Sequence, residues 1–218
     1  MAYVWCWGLV HGLKRSGMVA AVLACVVGAA AAEESGFESL FDGKSLAGWK
    51  VNENPASWQV ADGKIICRGP RSHLFYMGSN AAQPAEFKNF HFKADVLTKP
   101  NANSGIFFHT KFQPEGWPAQ GYEMQVNNSQ ADPVRTGSLY NVVKNFVPPS
   151  PDNEWFTEEV VVNGKSMTVL VNGKVLFEFV EPDGVTGTRK LSSGTFALQA
   201  HDPGSEVYYK NIRVKRLP

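Results

Sequence analysis

Val160-Val161-Val162-Asn163-Gly164-Lys165-Ser166-Met167-Thr168-Val169-Leu170-Val171-Asn172-Gly173-Lys174-Val175-Leu176-Phe177-Glu178-Phe179 is the stretch that decides the fold class. Its β-branched, apolar runs Val160–Val162, Met167–Val171 and Val175–Phe179 are separated by Asn-Gly pairs. Asn and Gly tolerate the positive φ that a two-residue hairpin turn requires, so the spacing predicts consecutive antiparallel hairpins. Asp62-Gly63 repeats the pattern between Trp58–Val60 and Ile65–Cys67. Phe90-His91-Phe92-Lys93-Ala94-Asp95-Val96 alternates cleanly, which puts the apolar set on a core and His91, Lys93 and Asp95 on an outer face. No segment sustains a helical period, and only a short helical turn is expected, around residues 83–87. Many short strands joined by long Pro- and Gly-bearing loops predict an all-β, antiparallel β-sandwich of the jelly-roll type.

The N-terminus reads as a targeting segment. Lys14 and Arg15 precede an uncharged, alanine-rich run from Met18 to Ala32, and Ala30 and Ala32 suit a signal-peptidase site. That run is too short for a stable membrane span, which needs about 20 apolar residues. Val22-Leu23-Ala24-Cys25 resembles a lipobox, but its preceding hydrophobic core is very short. The favoured reading is therefore a signal peptide over residues 1–32 and one secreted or periplasmic domain over residues 33–218. The segment holds two of the 21 Lys and Arg residues and none of the 20 Asp and Glu residues, so the remainder carries a formal charge of −1. Such a balance offers no footprint for nucleic acid. Cys67 is left as a lone cysteine, expected as a buried small hydrophobe rather than a disulfide or metal ligand.

Three strands bring polar groups together among apolar neighbours. In Gly121-Tyr122-Glu123-Met124-Gln125, strand alternation puts Glu123 and Gln125 on one face and Tyr122 and Met124 on the other. Gln199 and His201 share a face in Leu198-Gln199-Ala200-His201, and Asn103-Ser104-Gly105-Ile106-Phe107-Phe108-His109 supplies a third polar-bearing strand. Together they can line a polar groove, or stand as three ordinary half-buried strands whose polar residues face water. The loops 112–120, 127–140 and 146–153 are long enough to wall a binding site on a rigid sheet.

The same residues resemble a known family. Leu40-Phe41-Asp42-Gly43-Lys44-Ser45-Leu46-Ala47-Gly48-Trp49 is similar to the opening signature of the bacterial DUF1080, or 3-keto-disaccharide hydrolase, domain. Asn103–Phe108, Gly121–Gln125, Thr136-Gly137-Ser138-Leu139-Tyr140, Asn172-Gly173, Leu198–His201 and Asn211-Ile212-Arg213 follow in the family's order, covering about residues 37–217. The resemblance implies a concanavalin A-like (lectin/glucanase) sandwich and an activity on glycosidic bonds. It departs at His109, where many members carry Arg.

Glucanases on that fold place both catalytic carboxylates on one strand, within Glu-x-Asp-x-Glu, whereas the comparable strand here reads Glu123-Met124-Gln125-Val126-Asn127, with a single carboxylate. An ordinary glycosidase needs two; Asp132, Glu154, Glu158 or Glu159 would have to supply the second, or else they are surface charges. One carboxylate with histidines suits base-initiated elimination from a 3-keto-sugar, whose C2 proton is acidified by the neighbouring carbonyl. That reading makes Glu123 the base, His201 and His109 the acid or oxyanion stabilisers, and Gln125 and Gln199 hydroxyl-binding amides. In a metal variant Glu123, His109 and His201 would hold a divalent ion as Lewis acid. Asn103, Trp117, Tyr140 and Trp155 are the further sugar-binding candidates, the aromatics by stacking on pyranose C–H faces; core packing competes for Trp155. His73, behind the Gly69-Pro70-Arg71-Ser72 loop, reads as surface or as a rim contact. The rival to an enzyme is a non-catalytic, lectin-like carbohydrate-binding module, which has no use for a base at Glu123.

Overall fold

Asp62 and Gly63 (φ 49° and 73°) close one hairpin, and Asn172 and Gly173 (φ 52° and 72°) close another. Two left-handed residues give the turn a twist that matches the strands it joins. At Asn163-Gly164 the loop sits one residue later than the sequence suggests: Asn163 pairs with Ser166, leaving Gly164 and Lys165 between them. Gly164 alone takes the left-handed position there, at φ 59°.

The computed structural model describes residues 34–78 and 85–218. The expected signal peptide, with Cys25, lies outside the described residues, as does part of the helical turn expected around residues 83–87. Residues 34–218 form one unit. Its strands are β1 (Glu38–Ser39), β2 (Trp49–Val51), β3 (Trp58–Ala61), β4 (Lys64–Arg68), β5 (Ser72–Tyr76), β6 (Phe90–Thr98) and β7 (Ser104–Thr110), followed by β8 (Tyr122–Val126), β9 (Phe156–Asn163), β10 (Ser166–Val171), β11 (Lys174–Val180), β12 (Thr195–Ala200) and β13 (Glu206–Arg216). Among the described residues the only helical element is a 3-10 turn at Pro55–Ser57, and no helix is long and apolar enough to cross a membrane.

All pairings are antiparallel and make two sheets. The larger runs β11-β10-β9-β6-β13-β4-β3, with β1 added along β13; the smaller runs β2-β5-β12-β7-β8. One core fills the space between them. Phe90, Phe92, Ala94 and Val96 are fully buried, as their alternation predicts, and Phe196 reaches across from the smaller sheet to within 4.8 Å of Phe87, 5.0 Å of Phe90 and 4.5 Å of Phe92, ring to ring. Each such ring removed from water contributes about 1.5–3 kcal/mol. On the outer face of the same strand His91 meets the Glu159 carboxylate at 2.9 Å. Cys67 is buried, and burial pushes its thiol far above the ordinary range while Sγ–H donates to the Gln199 carbonyl at 3.1 Å.

Glu158 breaks the apolar pattern of β9. It is fully buried on the core-facing side, one oxygen accepts from the Gly137 N–H at 3.1 Å, and Oε2 has no partner. Burial raises its carboxyl from 4.5 to about 8, only partly offset by the Gly137 hydrogen bond. The native state therefore holds a proton that the unfolded chain releases. Stability is complete below the unfolded value near 4.5 and is lost as pH rises through about 8. Glu158→Gln keeps the shape without the charge. It is expected to raise the unfolding midpoint at pH 8–9 by the equivalent of a few kcal/mol while leaving it nearly unchanged at pH 4.5, measured by thermal unfolding across that range.

Candidate active site on the smaller sheet

The smaller sheet turns Ile106, Phe108, Tyr122, Met124 and Leu198 into the core, so the alternate residues of the same strands face outward. Those outward residues are His73 and Phe75 on β5, Gly105 and Phe107 on β7, Glu123 and Gln125 on β8, and Ala197 and Gln199 on β12. Phe75, Phe107 and Ala197 pack into a small apolar cluster of their own, which forms one wall beside the polar groups. Register brings Phe107 opposite Glu123 and Gly105 opposite Gln125.

Glu123 is the centre of this face. Its carboxyl lies over Gly105, where a Cβ would stand 2.3 Å from Oε1. Gln199 Nε2 donates to Oε1 at 3.0 Å from the neighbouring strand. Only 7% of Glu123 is exposed. Burial pushes its carboxyl from 4.5 up to about 7; Arg189 and the Gln199 hydrogen bond act downward, and Asp132 upward. The result is a carboxyl poised to gain or lose a proton near neutrality, the property of a general acid or base.

Above it opens a cavity of about 250 Å³, lined by Glu123, Gln125, Gln199, His201, Asn103, Tyr140, Trp117, Phe107, Asp132 and Arg189. Three loops build its walls. The segment after β8 folds back along that strand's free edge, with hydrogen bonds from Gln125 N to Ser138 O, Gly137 N to Gln125 O and Tyr140 N to Glu123 O, and so carries Tyr140 and Asp132 to the rim. The segment after β7 brings Trp117 to within 5.3 Å of the His201 ring. The segment after β11 brings Arg189 over Phe107, and Glu181 anchors it by accepting from Tyr122 Oη at 2.6 Å and Leu191 N at 2.7 Å.

His201 stands where β12 ends, and its Nδ1 meets Asp202 Oδ2 at 2.8 Å. Burial raises the Asp202 carboxyl, but hydrogen bonds from His201, Ser205 and the Gly204 N–H outweigh it and hold the group below its ordinary value. An ionised Asp202 keeps the proton on Nδ1 and leaves Nε2 as the free ring nitrogen. Ser205 Oγ also accepts from the Asn103 N–H at 2.9 Å, which ties Asn103 to the same cluster. The side-chain oxygens of Asn103 and Gln199 are buried and have no partner.

Thus the site candidates Glu123, His201, Gln125, Gln199, Asn103, Tyr140 and Trp117 line one cavity. His109 does not. Between Thr195↔Thr110 and Ala197↔Phe107, two residues of β7 oppose one of β12, and His109 takes φ 54° in this bulge. Gly121 and Gly194 make room for it, since a Cβ at either would stand 2.7 Å from the His109 carbonyl carbon. The bulge turns the ring inward, 5.5 Å from Phe90, where Nε2–H donates to Lys88 O at 2.9 Å and Nδ1 accepts from Ser192 N at 3.2 Å. Both nitrogens are used, and burial lowers the imidazole pKa despite the Lys88 carbonyl. The ligand set of the metal variant, Glu123, His109 and His201, is consequently not assembled, and among the described residues no other group of His, Cys, Asp or Glu is spaced to hold an ion.

Trp155 also lies away from the cavity. It is 38% exposed with the Lys210 ammonium 4.0 Å above its ring, so it is neither a core residue nor a sugar platform of this site. His73, expected at the surface or rim, is fully buried beneath Trp117. Arg189 is the functional candidate that sequence reasoning passed over, while Asp132 is the one of the four possible second carboxylates that the fold brings to the cavity. Nothing in the sequence separates Asp132 from Glu154, Glu158 and Glu159, and Arg189 sits in Gly187-Thr188-Arg189-Lys190, which has no periodicity to aim it.

Comparison with known proteins agrees with this architecture. The 3-keto-alpha-glucoside-1,2-lyase-like domain matches residues 36–215. A solved structure from Parabacteroides distasonis, described provisionally as a glycosyl hydrolase, is similar at 26% identity with a TM-score of 0.70, over 84% of this chain and 94% of that one. The carbohydrate-binding module CBM66 from Bacillus subtilis has a TM-score of 0.58 at 12% identity, over 79% of this chain and 98% of that one. A non-specific endo-beta-1,3(4)-glucanase from family GH16 has 0.52 at 14%, over 83% and 91%. The last two likenesses show the fold alone, a concanavalin A-like jelly roll. No curated protein matches the sequence.

The contact between Glu123 and Gly105 is directly testable. Gly105 has an ordinary extended backbone, so alanine is conformationally allowed, but its Cβ collides with the carboxylate. Gly105→Ala is expected to push Glu123 outward and return its carboxyl toward 4.5, read by NMR titration of the side-chain carbon. The stability cost of the overpacking is about 1–3 kcal/mol. An unchanged Glu123 titration would show that the glycine does not set the carboxyl's environment.

Proposed function

The chain belongs to the 3-keto-alpha-glucoside-1,2-lyase-like domain family, and from that membership and the buried Glu123 we propose that it is an exported, carbohydrate-active enzyme cleaving the glycosidic bond of 3-keto-glycosides. The observation that carries the reading is a desolvated carboxyl held near pKa 7 among hydroxyl-binding amides. A C–H next to a carbonyl is a weak acid, and a carboxylate raised toward neutrality is a stronger base than an ordinary one while still ionised in useful amount. Export rests on Lys14, Arg15 and the alanine-rich run that follows.

In this mechanism Glu123 removes the C2 proton, and the C–H electrons form the C2–C3 double bond as the C3 carbonyl oxygen takes negative charge. Arg189, the cation acting on Glu123, offsets that charge. The electrons then return to form the C1–C2 double bond, and the C1–O bond breaks. His201, its Nδ1 held by Asp202, supplies a proton to the leaving oxygen. This stage gives the aglycone and an unsaturated 3-keto-sugar. Addition of water, with hydroxyl to C1 and the proton back to C2, completes net hydrolysis without an oxocarbenium ion. Gln125, Gln199 and Asn103 hold ring hydroxyls, and Trp117 and Tyr140 flank the ring.

A second reading has one observation in its favour, since Asp132 lines the same cavity and would be the second carboxylate of an ordinary glycosidase. Incubation with glucosides and their 3-keto derivatives separates the readings: release of the aglycone from the keto forms alone supports elimination, release from unoxidised glucosides supports the carboxylate pair, and binding without release supports a lectin-like module.

Glu123→Gln is expected to lower kcat on a 3-keto-glucoside by about 10²–10⁴-fold with little change in KM. Asp132→Asn is expected to cost less than about tenfold if elimination is the route. The pH profile carries a sign of its own. A base must be ionised, so kcat/KM should climb as pH rises through about 7; an acid limb near 4.5 would remove Glu123 from the role.

A further inference from the structure

His73 lies on β5 directly opposite Gln199 on β12, and the chemistry above leaves it unused. The outer face therefore carries a polar row across four adjacent strands, from Gln125 on β8 past Gly105 on β7 and Gln199 on β12 to His73 on β5. Three interstrand spacings of about 4.8 Å make the row roughly 14 Å long. That is longer than one sugar ring and close to the span of two. The cavity of about 250 Å³ runs along the row from Gln125 to Gln199 and Trp117, and His73 is not part of its lining.

At the other end His73 is fully buried, yet neither ring nitrogen has a hydrogen-bond partner. Its ring is enclosed by Phe107 at 5.6 Å and Trp117 at 5.4 Å. A buried polar atom left unpaired costs about 1–3 kcal/mol, so a merely structural position would favour phenylalanine here. Burial lowers the imidazole to about 3, which leaves it neutral at any physiological pH. A neutral imidazole offers one N–H donor and one acceptor nitrogen, matching the two roles of a sugar hydroxyl.

The cover over His73 is one side chain and the loop that carries it. Trp117 is 42% exposed, and beyond His73 and His201 its ring meets the Arg71 guanidinium at 5.5 Å. Arg71 in turn is paired with Glu53 at 2.8 Å. The loop carrying Trp117 is held chiefly by itself: Gln113 Nε2 donates to the carbonyls of Glu115 (2.7 Å) and Trp117 (2.8 Å), and Gln113 Oε1 accepts from Ala119 N (2.9 Å). Its ties to the neighbouring β2–β3 segment are a 3.3 Å bond from Asn52 Nδ2 to Gly116 O and a bond from the Gly116 N–H to the Glu53 carboxylate.

We propose that Trp117 is a hinged cover over a second sugar subsite floored by His73, so that a disaccharide binds across the sheet with one ring at Glu123 and the other at His73. The inference deepens the function proposed above and rests on the Glu123 end being a sugar site.

The test measures binding, in a Glu123→Gln background that halts turnover. Calorimetry compares 3-keto-trehalose and unoxidised trehalose with methyl 3-keto-α-glucoside and methyl α-glucoside. The disaccharides are expected to bind about tenfold tighter than the matching methyl glucosides. Adding His73→Phe should reduce that ratio to near one while raising the unfolding midpoint, because it removes the unpaired nitrogens. Trp117→Ala, at a partly exposed position that folding tolerates, should also lower the ratio. A ratio unaffected by His73→Phe, or equal affinities before it is introduced, would overturn the subsite. Equal binding of oxidised and unoxidised sugars would overturn the 3-keto reading and leave the subsite standing. No binding by any of the four probes would overturn both.

Discussion

Everything at this site depends on a carboxylate being sunk into the face of a β-sheet. Glu123 can lie there because Gly105, on the adjacent strand, presents no side chain beneath it. A carboxyl placed so low loses water, and desolvation of the charged form is what carries it toward neutrality. An ordinary outward-facing Glu on a strand would reach into solvent and remain a plain surface charge. The missing Cβ thus converts a common residue into a poised acid–base group, and the same vacancy lets Gln199 reach it from the strand beyond.

The platform under that contact is stiffened from the core side. The Gln199 carbonyl accepts from both the Cys67 thiol and the Ser104 hydroxyl, and Ser104 Oγ also meets Tyr209 Oη at 2.6 Å. These groups belong to β4, β7 and β13, so β12 is pinned to its own sheet and to the opposite one beside the residue that holds Glu123. Polar groups inside a sandwich are costly unless paired. Here they fix the height and lateral position of one strand, which apolar packing alone leaves freer.

The architecture was legible in the sequence because it is written in local rules. Strand alternation identified the buried faces of β6 and β8, and paired turn residues located two of three tight hairpins to the residue. The third slipped by one because Asn163 was needed in the ladder and Gly164 alone could supply the turn. Alternation also gathered Glu123, Gln125, Gln199 and His201. It failed at His109, where a bulge reverses the facing of one residue; Gly121 and Gly194, which admit that bulge, are distant in sequence and signal it only once the strands are paired. Arg189 was invisible, and Asp132 indistinguishable from the other candidate carboxylates, for another reason. Their positions are set by loops tied down through Glu181, Ser138 and the β8 edge, and none of those contacts leaves a periodic trace.

The unpaired polar atoms then say what the site lacks. Among the described residues the buried side-chain atoms without partners are His73 Nδ1 and Nε2, Asn103 Oδ1, Gln199 Oε1, Thr110 Oγ1 and Glu158 Oε2. Four of the six belong to the polar face of the smaller sheet or the residue entering it, a concentration that chance placement does not explain. With Gln199 Nε2 committed to Glu123, its Oε1 can only accept, and Asn103 Oδ1 likewise can only accept. A ligand that satisfies them must bring hydrogen-bond donors, and it must also present an apolar surface to Phe107 and Trp117. Neutral polyhydroxylated rings, the ligands proposed above, meet both demands at once. Natural sites give up stability to hold such groups ready, and the atoms left unpaired here describe the hydroxyls that would complete them.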